Sequence, residues 1–296
     1  MLGRLPPESL GWLLVDEAGQ ALPQAAIGAL IRTRRALIVG DPVQIEPVVL
    51  LPETLTHAIC RRFGADPDRF SAPAASVQTL TDGASTYMSE FQTKVGSRPV
   101  GIPLLVHRRC SEPMFSIANA AAYAGLMVSA KTPKSSPIRD ALGPSRWIHV
   151  EGNAEDKWCA DEGIEVLKLL SQLAKARVPP ELYIVTPFVI VAERLRQVVR
   201  QSGLLEGWIL EKDAWKWTAD RIGTVHTVQG REAEAVIFVL GAPLAAQAGA
   251  RNWAGARPNL LNVAVTRAKE VLYVIGNRNL WREAGVFQEL DKRLPH

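Results

Sequence analysis

The chain has 296 residues, 47% of them hydrophobic, which suits one large domain or two of ordinary size and gives enough core to fold without covalent staples. Its net charge of +4 and pI near 9.0 permit a polyanionic partner without demanding one. Three widely separated cysteines, Cys60, Cys110 and Cys159, exclude a disulfide framework and match no metal spacing, so they read as buried thiols in a reducing compartment.

The opening "MLGRLPPESL" has no long apolar run, and the most apolar stretch, "AVIFVLGAPLAAQAGA", is broken by Gly241, Pro243 and Gln247. It reads as a buried strand and a loop, not a membrane span, and a cytoplasmic location is expected. In chain order, "WLLVDE" predicts a strand, "QALPQAAIGALIRTR" a helix, and "RALIVGD" a second strand. That β-α-β order predicts a parallel sheet with helices on its faces. Residues from 51 to about 100 are rich in Pro, Ala, Ser and Thr and predict irregular structure and short helices. "SEPMFSIANAAAYAG" predicts a helix capped by Ser111, with Glu112 and Pro113 in its first turn and Gly125 at its end. "RWIHVEG" then reads as a strand. "DEGIEVLKLLSQLAKA" reads as an amphipathic helix burying Ile164, Leu167, Leu170 and Leu173. "LYIVTPF" predicts a strand and "VIVAERLRQVVRQ" a helix. "RIGTVHTVQGREAEAVIFVLG" predicts strand, Gly-containing loop and strand, and "NLLNVAVTRAKEVLYVIGN" a helix and a last strand.

Two strands end in carboxylates: Asp16 and Glu17 after the first, Gly40 and Asp41 after the second. Ligands of open parallel sheets sit at the carboxyl ends of strands. One carboxylate holding a magnesium ion and its neighbour polarising a water accounts for the pair, and the ion would make a buried Asp16 tolerable. A plain helix cap with a first-turn acid accounts for it equally on the dipeptide alone.

Five motifs in order, "VDEAGQ", "GDPVQIEPVV", "LLVHRRCSEP", "TVHTVQGREAEAVIFV" and "LNVAVTRAKEVLYVIGN", resemble the superfamily 1 helicases of the DNA2/NAM7-like (Upf1-like) branch, covering motifs II to VI from residue 11 to about 277. The resemblance implies an α/β fold of P-loop NTPase type with RecA-like parallel sheets. Residues 1–60 would be a remnant of the first lobe, 61–100 an irregular linker and 101–296 a complete second lobe. ATP would bind between the lobes.

By the same resemblance, Asp16 coordinates Mg2+ and Glu17 activates the attacking water. Gln44 senses the γ-phosphate, with a turn-stabilising amide as its alternative role. Arg108 and Arg267 are the guanidinium fingers of the second lobe, Arg109 being the register alternative to Arg108. Guanidinium forks stabilise charge spread over a transferring phosphoryl group and contribute roughly 10³ to 10⁵ in rate. Gly230 would let backbone approach phosphate and Glu232 would sit near the nucleotide, either being alternatively a turn element. His107 and His226 stand where many relatives carry tyrosine and aspartate.

Thr186 and Thr227 occupy positions that would donate to phosphates of single-stranded DNA or RNA, or simply cap strand ends. Trp215 and Trp217, at strand spacing, stack on bases or pack on a sheet. "RTRR" at 32–35 reads as basic charge closing the first helix. No G-x-x-x-x-G-K-[ST] occurs anywhere in the 296 residues. The expectation is therefore the C-terminal portion of a longer motor, weak or inactive alone, with a missing N-terminal helicase segment as partner. The alternative is a catalytically idle module that binds nucleic acid or protein.

Overall fold

The computed structural model describes residues 2–295 except 42, 45, 74, 94, 95, 133, 210 and 229. The chain divides into two compact units, residues 1–104 and 105–296.

In the first unit, β1 (Leu10–Val15) leads through a 3-10 turn (Ala18–Gln20) to α1 (Pro23–Leu30) and β2 (Thr33–Ile38). The strands pair in parallel, Leu10 opposite Thr33 and Val15 opposite Ile38, which is the β-α-β unit expected. Pro23 starts α1, where a missing N–H costs nothing. The helix is shorter than the sequence suggests, because β2 must begin at Thr33 to reach register with Leu10. "RTRR" thus belongs to the turn and strand rather than to a helix end, and the Arg35 guanidinium lies 5.5 Å from the Trp12 ring centroid.

The expectation of a buried first strand fails. Trp12 and Leu14 are 61% and 71% exposed, because this sheet has two strands among the described residues. Asp16 is likewise exposed, so no buried charge has to be neutralised there.

The stretch read as an irregular linker is mostly ordered and belongs to the first unit. It holds α2 (Glu53–Arg62), α3 (Pro67–Phe70), α4 (Val77–Ala84) and the antiparallel pair β3 (Ser89–Thr93) and β4 (Gly96–Val100). A reciprocal cap between Ser76 and Thr79 starts α4, and the Val77 N–H donates to the Ala21 carbonyl at 3.0 Å.

The second unit opens with β5 (Val106–His107), α5 (Met114–Ala122) and β6 (Val128–Ser129), followed by α6 (Pro137–Leu142) and β7 (Arg146–His149). A small hairpin, β8 (Ala154–Glu155) and β9 (Trp158–Cys159), precedes α7 (Ala160–Lys175). Then come β10 (Leu182–Thr186), α8 (Val189–Gln201), α9 (Glu211–Arg221), β11 (Ile222–Thr224) and β12 (Ala233–Val239). The unit finishes with α10 (Ala248–Gly255), α11 (Pro258–Thr266), β13 (Ala268–Gly276), α12 (Arg278–Trp281) and α13 (Phe287–Arg293).

Five strands form one sheet in the order β11-β10-β12-β13-β7, every pairing parallel. The central runs "AVIFV" and "VLYVI" are buried almost end to end, as strands covered on both faces require. Trp281, Phe287 and Phe238 fill the space beside them, Trp281 meeting Phe287 edge-on at 4.7 Å.

Three local readings change. In α7 the buried stripe is Glu162, Val166, Leu169, Leu170 and Leu173, while Ile164 is exposed, so the helix is rotated about one residue from the expected face. Ser111 does not cap α5; its hydroxyl donates to Glu270 Oε2 at 2.8 Å, and Pro113 takes the cap position. Trp215 and Trp217 lie on the helix α9, not on a strand. Cys110 and Cys159 are buried as expected, and Cys60 is half-buried. Among the described residues no helix is long and apolar enough to cross a membrane.

Candidate functional site

On the first unit, the two carboxylate-bearing turns are laced together. The Val39 N–H donates to the Val15 carbonyl at 2.8 Å, and the Ala18 N–H donates to the Val39 carbonyl at 3.0 Å. Gly40 completes this: a Cβ there would stand 2.7 Å from the Gly19 nitrogen and 2.8 Å from the Ala18 nitrogen. Only glycine lets the second strand end press against the turn of the first.

Glu17 takes a left-handed conformation, φ 53, at the entry to the 3-10 turn. Its N–H donates to Asp16 Oδ1 at 2.9 Å and its Oε2 accepts from Gln20 Nε2 at 2.9 Å. Neither acid caps a helix with its side chain, so the cap alternative does not describe them. Among the described residues no donor reaches Asp16 Oδ2, which fits a magnesium ion that takes one or two carboxylates and completes its shell with water and phosphate. Among the described residues no group of three or more His, Cys, Asp or Glu could hold a metal by itself. Asp41 Oδ1 accepts from the Val43 N–H at 3.0 Å, and its Oδ2 accepts from Gln44 Nε2 at 3.1 Å. Gln44 is thereby tied into its turn; Pro42 and Ile45 of the same motif lie outside the described residues.

On the second unit, three distant segments, 107–111, 230–233 and 266–270, meet at the amino ends of β12 and β13. The Ala233 N–H donates to the Arg267 carbonyl at 3.0 Å, and the Ser111 N–H to the Lys269 carbonyl at 2.9 Å. The buried thiol of Cys110, pushed up to about 12 by burial, donates to the Thr266 carbonyl at 3.6 Å. Lys131 and Glu270, both nearly buried, pair at 2.7 Å beside Ser111.

The charged groups of the candidate site rest on that frame. Glu232 bridges Arg109 Nε at 3.2 Å and Lys269 Nζ at 2.5 Å, and the Lys269 hydrogen bond holds its carboxyl below the usual range. Arg267 is 1% exposed, its Nη1 donating to the Arg231 carbonyl at 3.0 Å and its Nη2 to Thr266 Oγ1 at 3.4 Å. Arg108 is exposed and carries no ion pair among the described residues, while Arg109 is the arginine that reaches Glu232. Gly230 has φ +76, a conformation side chains resist, and a Cβ there would meet nothing within 4 Å. Its requirement is conformational rather than one of space. Gln229 of the same motif lies outside the described residues.

The His107 pKa is lowered by burial, then by Arg109 and Lys131, so the ring stays neutral, and its Nε2 accepts from the Cys110 N–H at 2.9 Å. Histidine is structural here. Lys269 escaped the sequence reading; it sits at the start of β13, two residues past Arg267, which closes α11. The Arg109 and Arg267 guanidinium groups and the Lys269 ammonium act on the one Glu232 carboxylate, and this excess of positive charge suits a polyphosphate.

These residues fall within a region that matches a known family, the AAA domain, over residues 88–279. The chain belongs to the AAA domain family. It is similar to an ATP-dependent helicase of Methanocaldococcus jannaschii, 24% identical over 95% of this chain and 39% of that protein. It is also similar to the Regulator of nonsense transcripts 1 homolog of Drosophila melanogaster, 23% identical over 93% of this chain and 21% of that one. The chain therefore spans well under half the length of these relatives. Among solved structures it is similar to the PRRSV helicase, with TM-score 0.41, 13% identity, and coverage of 92% of this chain and 37% of that one.

The two threonines part company. Thr186 has no exposed surface and its hydroxyl accepts from the Phe188 N–H at 3.4 Å, so the expected phosphate contact is out of reach. Thr227 is exposed on the turn after β11, donating to the Thr224 carbonyl at 2.8 Å.

Proposed function

We propose that this chain is the C-terminal motor portion of an ATP-dependent helicase or translocase acting on single-stranded DNA or RNA. The observation that carries this is the cationic convergence of Arg109, Arg267 and Lys269 on Glu232 in a chain of the AAA domain family. Its substrate is ATP, and its ion is Mg2+ held by Asp16. When bound, the ion supplies charge against the phosphate oxygens. Glu17 takes the proton of the attacking water. Gln44, held by Asp41, reads the γ-phosphate from its turn. Arg108, without an ion pair among the described residues, is the guanidinium that reaches the phosphoryl group, and buried Arg267 fixes the 230–233 turn through the Arg231 carbonyl.

The 296 residues contain no phosphate loop. We infer that the lysine neutralising the β- and γ-phosphates comes from outside them, which makes a helicase segment bearing that loop the partner of this chain. The same observation favours a second reading, an idle module that binds nucleic acid or protein. Phosphate release by residues 1–296, with and without single-stranded nucleic acid, tests the inference. No stimulated turnover is expected, and turnover comparable with that of intact helicases would overturn it.

A further inference from the structure

Away from the charged patch, α8 and α9 form an open cleft of about 470 Å³ lined by Glu193, Arg196, Gln197, Arg200 and Ala219. Arg196 and Arg200 lie one turn apart on the same face of α8. Each is anchored by its Nε alone: Arg196 to the Ile222 carbonyl at 2.9 Å, Arg200 to Thr218 Oγ1 at 2.8 Å. Among the described residues their terminal amino groups meet no hydrogen-bond acceptor, so two guanidinium groups are oriented but unspent. Trp215 on α9 is 67% exposed, with the Arg200 guanidinium 5.1 Å from its ring centroid.

Thr227 lies on the same side of Gly223 as Arg196. A Cβ on Gly223 would stand 2.2 Å from Thr227 Oγ1 and 3.4 Å from Arg196 Nη2, so the hydroxyl and the guanidinium converge over a glycine. One carboxylate, Glu193, also lines the cavity and makes no ion pair. Two guanidinium groups outweigh it.

We propose that Thr227, Arg196, Arg200 and Trp215 form a subsite for a phosphodiester strand. The arginines hold two successive phosphates and one unstacked base lies on the Trp215 ring. This rests on the nucleic-acid reading above and extends it from Thr227, within a helicase motif, to α8 and α9, which the motifs do not include. Arginine on phosphate and aromatic ring on base is the combination that holds single strands without sequence preference.

The test is fluorescence anisotropy of labelled dT12 with residues 1–296, titrated at several salt concentrations. Trp215→Ala should weaken binding by roughly 5- to 100-fold, the range for loss of one stacked base, and Trp215→Phe should restore most of it. The double variant Arg196→Gln/Arg200→Gln should flatten the logarithmic salt dependence by about 1.4, at about 0.7 per phosphate lost. Glu193→Gln should tighten binding. Circular dichroism melts check that each variant is folded. Binding by the parent with affinity and salt slope unchanged in the variants would overturn the subsite and leave the broader reading standing. Absence of any binding by the parent would overturn both, as would equal displacement of dT12 by millimolar inorganic phosphate overturn the strand as the occupant.

Discussion

Glu162 offers a quantitative test of how the second unit is built. It sits on the first turn of α7 with no exposed surface. Its Oε2 accepts from the Gly241 N–H at 2.8 Å, while its Oε1 is buried without a partner. Burial pushes its carboxyl from 4.5 up to about 8, against the opposing pull of the Gly241 hydrogen bond. The folded state therefore keeps a proton that the unfolded chain gives up above pH 4.5. Stability is highest below that pH and falls as pH rises toward 8. At pH 7 the loss is about 3 kcal/mol, from about 1.4 kcal/mol per pH unit over the interval above the unfolded value. Glu162→Gln cannot ionise and keeps an oxygen for Gly241. Its buried amide adds an offset that does not vary with pH. In melts followed by circular dichroism, the variant should gain on the parent by roughly 6–12 °C between pH 4.5 and pH 7, at about 2–4 °C per kcal/mol for a unit of this size. Parallel melting curves across that range would show the folded carboxyl already ionised and refute the reasoning.

Other substitutions separate packing from chemistry. Gly230→Ala should cost about 1–2 kcal/mol in urea denaturation, because φ +76 is penalised with a side chain while the space is open. Gly255→Ala should cost well over about 1–3 kcal/mol, since its Cβ would stand 2.2 Å from the Ala284 carbonyl oxygen; a neutral melt would show the two backbones free to part. Trp281→Ala should remove about 3–5 kcal/mol of stability, as a wholly buried ring that donates to the Gly241 carbonyl at 2.8 Å. Glu232→Gln should shift stability by no more than about 1 kcal/mol, because both of its ion pairs are solvent-exposed.

Strands whose neighbours cover both faces were legible as continuous apolar runs, and β10, β12 and β13 lie where "LYIVTPF", "EAVIFV" and "EVLYVIG" predict. The first strand misled because "WLLV" carries the same signal, yet its burial depends on neighbours that a local pattern does not contain. Trp215 and Trp217 misled through spacing: two residues apart suits a strand face, but the charged flanks of "EKDAWKWTADR" sustain a helix with Trp215 toward solvent. Glu162 could not be placed in the core from the sequence, since the residue that satisfies it, Gly241, is 79 positions away. The charged patch was partly legible. Arg267, Glu232 and the arginine pair were visible in their motifs, but the choice of Arg109 as the partner of Glu232 needed coordinates. Lys269 was missed because it completes an ion pair across segments rather than a motif.

The central proposal is that Glu17 and Arg108 are each needed for ATP turnover. The most direct measurement is ATP turnover, stimulated by single-stranded nucleic acid, in a polypeptide that carries this chain together with a phosphate loop, compared with its Glu17→Gln and Arg108→Gln variants. The account predicts that each variant still binds nucleotide but loses at least about 100-fold in turnover, Arg108→Gln approaching the 10³ to 10⁵ of a lost guanidinium finger. Turnover within a few-fold of the parent in either variant would contradict it.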